Sequence, residues 1–110
     1  MAEKKYKLRF LPLFEWDLAE IADYITNHLK NPQAANELVD EVEKTISERL
    51  ACPESFEPYP SVKYRKYLYY RIYVKNFIIY YVVIDDESVN FKIMEVRRIL
   101  YNKRDKRQLV

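Results

Sequence analysis

Phe77-Ile78-Ile79-Tyr80-Tyr81-Val82-Val83-Ile84 runs without a single charge and is followed at once by Asp85-Asp86-Glu87-Ser88. A short apolar run bounded by turn residues reads as a central strand. Asp suits the turn because its side chain can bond the backbone two residues on. Val89 to Arg98 then reads as the last long strand, so the two segments form a hairpin. Upstream, Val62 to Val74 is rich in Tyr, Arg and Lys and keeps a period of two, as two short strands or one bent strand. The tail from Ile99 to Val110 is basic and compatible with a helical turn.

Further towards the N-terminus the period changes. Lys5-Tyr6-Lys7-Leu8-Arg9-Phe10 alternates polar and apolar residues and reads as a half-buried strand. After Pro12, apolar residues fall from Phe14 at Leu18, Ile21, Ala22, Ile25 and Leu29, steps of three and four that put one stripe on a helix. Glu15, Asp17, Glu20 and Asp23 are expected off that stripe. Asn31-Pro32 breaks and restarts the helix, with Asn31 as cap and Pro32 in the first turn. Ala35, Leu38, Val39, Val42, Ile46 and Leu50 line one face of the second helix, which should end soon after Ala51 because Pro53 follows. Pro53 to Ser61 reads as a loop. The expected fold is therefore α+β over a single domain, residues 1–110: an N-terminal strand, then a helical hairpin packed on a twisted antiparallel sheet of four to five strands.

Composition removes several function classes. No run of about 18 apolar residues exists, so no transmembrane helix is expected. The first residues, Met1-Ala2-Glu3-Lys4-Lys5, lead into no apolar stretch of the secretory kind, which points to the cytoplasm. Cys52 is the only cysteine and His28 the only histidine, which leaves no disulfide framework, no Cys/His zinc site and no metal or other cofactor expected. His28 reads as an exposed helix-end residue. The chain has no glycine, so the glycine-rich phosphate loops are absent and turns must rely on Asn, Asp and Pro.

The net charge of +2 hides a split. Residues 1–60 carry seven Lys/Arg against twelve Asp/Glu, a charge of −5, and residues 61–110 carry twelve against five, a charge of +7. A basic half suggests a phosphate-bearing partner, unless the two halves simply attract each other in the fold.

Four segments in register resemble one family. Asp17-Leu18-Ala19-Glu20-Ile21-Ala22-Asp23-Tyr24-Ile25 is similar to the first-helix signature of RelE/ParE toxins, and Asn31-Pro32-Gln33-Ala34-Ala35 to their helix joint. Asn76-Phe77-Ile78-Ile79-Tyr80-Tyr81 resembles their central strand, and Arg98-Ile99-Leu100-Tyr101-Asn102-Lys103-Arg104-Asp105 their C-terminal motif. The resemblance implies the toxin of a type II toxin–antitoxin pair, with a cognate antitoxin as partner and no membrane. RelE-like members cleave mRNA on the ribosome, whereas ParE-like members poison DNA gyrase without cleaving RNA. A remnant that binds only its antitoxin is a third reading.

Metal-free RNA cleavage needs a base for the 2′-hydroxyl, a cation for the charged phosphorane and an acid for the leaving oxygen. The expected catalytic set is Arg65 and Arg71 holding phosphate, Arg98 and Arg104 stabilising the transition state, and Tyr101 as acid–base or stacking platform. Tyrosine titrates near pH 10 unless cations depress it, a task open to Lys103 and Arg104. Lys63, Lys66, Arg97 and Lys103 would bind nucleic acid. Arg71 has a plainer alternative, as a solvated strand residue or a partner of Glu95. Most of the other tyrosines of the sheet region read as packing. The resemblance also carries two departures. Ile78 stands where many ribosome-dependent members carry an arginine, and Tyr101 where the family usually has histidine. Cleavage at the ribosome is the leading expectation and gyrase inhibition its rival, which these departures favour.

Overall fold

A computed structural model describes residues 5–60 and 66–102. The element order is β1 (Lys5–Phe10), α1 (Pro12–Asp23), a π-helical turn (Tyr24–His28), α2 (Pro32–Arg49), β2 (Tyr70–Val74), β3 (Phe77–Asp85) and β4 (Phe91–Tyr101). The strands form one open sheet in the order β1-β4-β3-β2. The antiparallel pairing expected from the sequence holds for β2, β3 and β4, while β1 joins β4 in parallel. Parallel pairing follows from connectivity: α1, α2, β2 and β3 all intervene between the two strands, as a crossover requires.

Strand alternation divides the sheet into two faces. Ile72 on β2, Ile79 and Tyr81 on β3, and Met94, Val96 and Ile99 on β4 pack with Phe14, Leu38, Val42 and Ile46 of the helices into one core. Arg71, Tyr73, Ile78 and Tyr80 occupy the other face, which carries no helix. The apolar run that opens the reading of the sequence is thus buried on both sides, with Ile79, Tyr81 and Val82 fully inaccessible.

Several boundaries differ from expectation for local reasons. Within Val62 to Val74 only Tyr70–Val74 is strand; residues 66–69 are irregular and residues 61–65 lie outside the described residues. Ile99–Tyr101 continues β4 rather than forming a helical turn. α1 ends at Asp23 and the chain widens into the π turn, where the Leu29 N–H donates to the Tyr24 carbonyl and the Tyr24 and His28 rings stack. Asn31 caps α2 as expected, its side-chain oxygen accepting the Ala34 N–H at 3.1 Å. Without glycine, the left-handed backbone positions among the described residues fall on Lys30 (φ 58°) and Lys75 (φ 51°), not on Asn or Asp. An unbranched side chain tolerates that region at a cost of about 1 kcal/mol.

One correction concerns Asp17, expected on the solvent side of α1 but only 8% exposed. It lies three residues after Phe14 and four before Ile21, which is the spacing of the buried stripe. β1 reaches only as far as Val96 on β4, so the last residues of β4 have no strand on that side. Asp17 fills the gap. Its carboxylate accepts from the Ile99 N–H at 3.2 Å and from the Arg98 guanidinium at 2.7 and 2.9 Å. A second carboxylate, Glu95, fastens the β1 edge, accepting from Arg9 of β1 and from Arg97 two residues along β4. A bulge at Tyr80/Tyr81 leaves Arg97 without an opposite residue and lets Arg97 and Arg98 serve different carboxylates.

Two predictions follow from these anchors. Asp17→Ala should lower unfolding stability by about 2–3 kcal/mol, because a buried N–H loses its acceptor, and Asp17→Asn by less; urea titration checks this, and an Ala variant within about 0.5 kcal/mol of the parent would contradict the anchoring role. Glu95 is held below its ordinary value near 4.5: burial pushes it up, but the bonds and charges of Arg9 and Arg97 outweigh burial. Its contribution is therefore complete above about 4.5 and is lost as pH falls towards the folded value. Glu95→Gln should flatten that acid limb in a series of thermal melts and cost about 1–2 kcal/mol at pH 7; an unchanged limb would refute the assignment.

Candidate functional site

The expected site residues fall on different surfaces. In the sheet, Arg71, Tyr80 and Arg98 lie opposite one another across β2, β3 and β4. Their side chains do not converge. Arg98 turns to Asp17, which holds its guanidinium firmly protonated, whereas Arg71 stays on the helix-free face. Tyr101 sits opposite Phe77, which pairs with the buried Val74, so it belongs to the helix-bearing side. There it is 47% exposed and packs edge-on against Phe77. The sheet therefore lies between Tyr101 and Arg71. Lys66 is exposed, its ammonium over the Tyr67 ring. Arg97 bonds Glu95 and the Tyr69 hydroxyl. Lys63, Arg65, Lys103 and Arg104 lie outside the described residues.

Of the two plainer alternatives raised from its sequence, Arg71 does not partner Glu95, which is taken by Arg9 and Arg97, and it is a partly exposed strand residue. Its guanidinium lies 4.7 Å from the ring centre of Tyr59 and 5.6 Å from that of Tyr73. Tyr59 reaches it from the loop after α2, where its N–H donates to the Tyr69 carbonyl, and its ring packs edge-on against Tyr80. Burial pushes the Tyr80 hydroxyl above its ordinary range and the neighbouring Tyr59 adds to this, against the opposing charge of Arg71. A hydroxyl raised in this way is a weaker candidate for a general base at neutral pH. Arg49 supports the cluster from behind, donating to the Arg71 carbonyl at 3.1 Å and to the Tyr81 hydroxyl at 2.8 Å.

On the opposite side of the molecule, α1, the π turn and the end of β4 enclose a cleft of about 740 Å³. Ile21, Tyr24, Ile25, Leu29, Phe77 and Tyr101 supply its apolar wall, and the Asp17–Arg98 pair and Glu20 its charged wall. Among the described residues no group of three His, Cys, Asp or Glu side chains is positioned to hold a metal ion. No described helix is long and apolar enough to cross a membrane.

Sequence reasoning missed Asp17, Glu95 and Tyr59. The signal for Asp17 was its spacing from Phe14 and Ile21. Glu95 gave a fainter one, alternating with the buried Met94 and Val96 on a strand otherwise rich in cations. Tyr59 carried none, because only the path of a loop brings it to Arg71.

No curated protein matches the chain. The sequence model of the ParE toxin of the type II toxin–antitoxin system parDE matches residues 8–106, from β1 through all the described elements. With nearly the whole chain matched and two helices packed on a four-stranded mixed sheet, the chain belongs to the ParE toxin family of type II toxin–antitoxin systems.

Proposed function

We propose that this toxin, restrained by its cognate antitoxin, arrests growth without catalysis, by binding DNA gyrase and trapping it on cut DNA. The separation of the would-be catalytic groups carries this reading. Arg98 gives its charge to Asp17, and Arg9 and Arg97 share the single carboxylate of Glu95. A carboxylate beside a guanidinium cancels the field that a phosphorane would need. Tyr101, the proposed acid–base group, lies across the sheet from Arg71. Ile78 between Tyr73 and Leu100 adds no charge in the strand position where ribosome-dependent relatives carry arginine. Binding a protein surface needs none of these groups to converge, and exposed Trp16, Tyr24 and Tyr101 offer the aromatic side chains that dominate such contacts.

Ribosome-associated mRNA cleavage, the leading expectation from the sequence, is the second reading. The observation in its favour is Arg71, an arginine with tyrosines around it and no carboxylate partner among the described residues. One paired experiment separates the two. Toxin is added to gyrase with supercoiled plasmid and ATP, and in parallel to a translating extract with end-labelled mRNA. Linear plasmid after protein removal, with intact mRNA, is the expected result. Cut mRNA with uncut plasmid sinks the gyrase reading.

A further inference from the structure

Five arginines lie among the described residues, and four have spent their guanidinium N–H groups on the protein itself. Arg9 and Arg97 bond Glu95, Arg98 bonds Asp17, and Arg49 bonds the Arg71 carbonyl and the Tyr81 hydroxyl. Arg71 differs. Its guanidinium lies 4.7 Å from the ring centre of Tyr59 and 5.6 Å from that of Tyr73, while no acceptor among the described residues takes its N–H groups. Ring contacts hold a guanidinium in place without using its donors, which match two phosphate oxygens at once.

We propose that Arg71, with Tyr59 and Tyr73, is a binding site for a single-stranded DNA segment: one backbone phosphate on the Arg71 fork, and the neighbouring bases stacked on the tyrosine rings. This rests on the gyrase reading, since a cut and opened DNA would then lie beside the bound toxin. Tyr73 is 44% exposed. A second arginine lies near tyrosines, Arg97 at 5.6 and 5.7 Å from the ring centres of Tyr67 and Tyr69, with its own N–H groups bonded to Glu95 and the Tyr69 hydroxyl. Arginine beside tyrosine rings suits a strand whose bases are unstacked and present their flat sides. Duplex DNA offers its phosphates but not those flat sides. An acidic peptide would satisfy Arg71 but leave the rings without a stacking partner.

Fluorescence anisotropy with the full-length toxin and a labelled 12-nucleotide single strand of mixed sequence tests this. Arg71→Gln should weaken binding about tenfold, with Arg71→Lys in between because it keeps the charge and loses the fork. Tyr73→Ser should weaken binding several-fold and Tyr73→Phe hardly at all, since stacking needs the ring and not the hydroxyl. Thermal melts confirm that each variant is folded. The proposal is overturned by equal affinity of parent and Arg71→Gln, by duplex of the same sequence binding as tightly, by tighter binding of the matching RNA, or by a glutamate-rich peptide competing as well as the DNA. The parent toxin is assayed separately for gyrase-dependent plasmid breaks: single-strand binding without breaks faults the gyrase reading alone, and breaks without single-strand binding fault this inference alone.

Discussion

β4 is longer than the strand that flanks it. β1 covers it only to Val96, and five further residues continue to Tyr101 with β3 on one side alone. An uncovered strand edge exposes donors and acceptors that must be satisfied or blunted. Here the cover is a side chain from a helix: Asp17 takes the Ile99 N–H and simultaneously pairs with Arg98. Because the same carboxylate belongs to α1, it fixes the tilt of the helical hairpin over the sheet. The same pair lines the cleft between α1 and the end of β4. Retaining such a pair in a largely apolar setting yields little net stability over a hydrophobic replacement, but breaking it is costly.

The same economy governs the remaining charges. Two ion pairs, Asp17–Arg98 and Glu54–Lys92, join acidic residues of the N-terminal half to basic residues of the C-terminal half. Asp17 and Glu95 pair with arginines at the α1 and β1 borders of β4, and Glu54 holds Lys92 at 2.8 Å below the sheet. Glu95 itself comes from the basic half, and Arg71 has no carboxylate partner among the described residues.

Much of the architecture was legible before any coordinate. The 3.6-residue stripe on the helices, Asn31-Pro32 at their joint and the uncharged run from Phe77 to Ile84 dictated the α+β order. The parallel seat of β1 was not legible, because alternation along Lys5–Phe10 states which side chains are buried but not which neighbour they join. The candidate site was legible in its residue types and not in its arrangement. Arg71 and Tyr101 are both strand residues of the basic half, and only the register, with Arg71 opposite Tyr80 and Tyr101 opposite Phe77, assigns them to opposite faces. A single bulge decides where the paired arginines go, and no local signal in Glu95-Val96-Arg97-Arg98 announces it.

The partnership of β1 with β4 also sets the order in which the molecule comes into being. Arg9 and Glu95, 86 residues apart, meet at the junction of the first and last of the described strands. Closing so long a stretch of chain precedes any gain from the contact, and topologies dominated by such distant pairings fold slowly. While the chain is being synthesised, β1 has no neighbour, and the alternating face of Lys5–Phe10 waits unburied until β4 arrives. The Arg9–Glu95 contact therefore belongs to the slow, long-range part of folding, and the seam it fastens closes only once most of the chain is in hand.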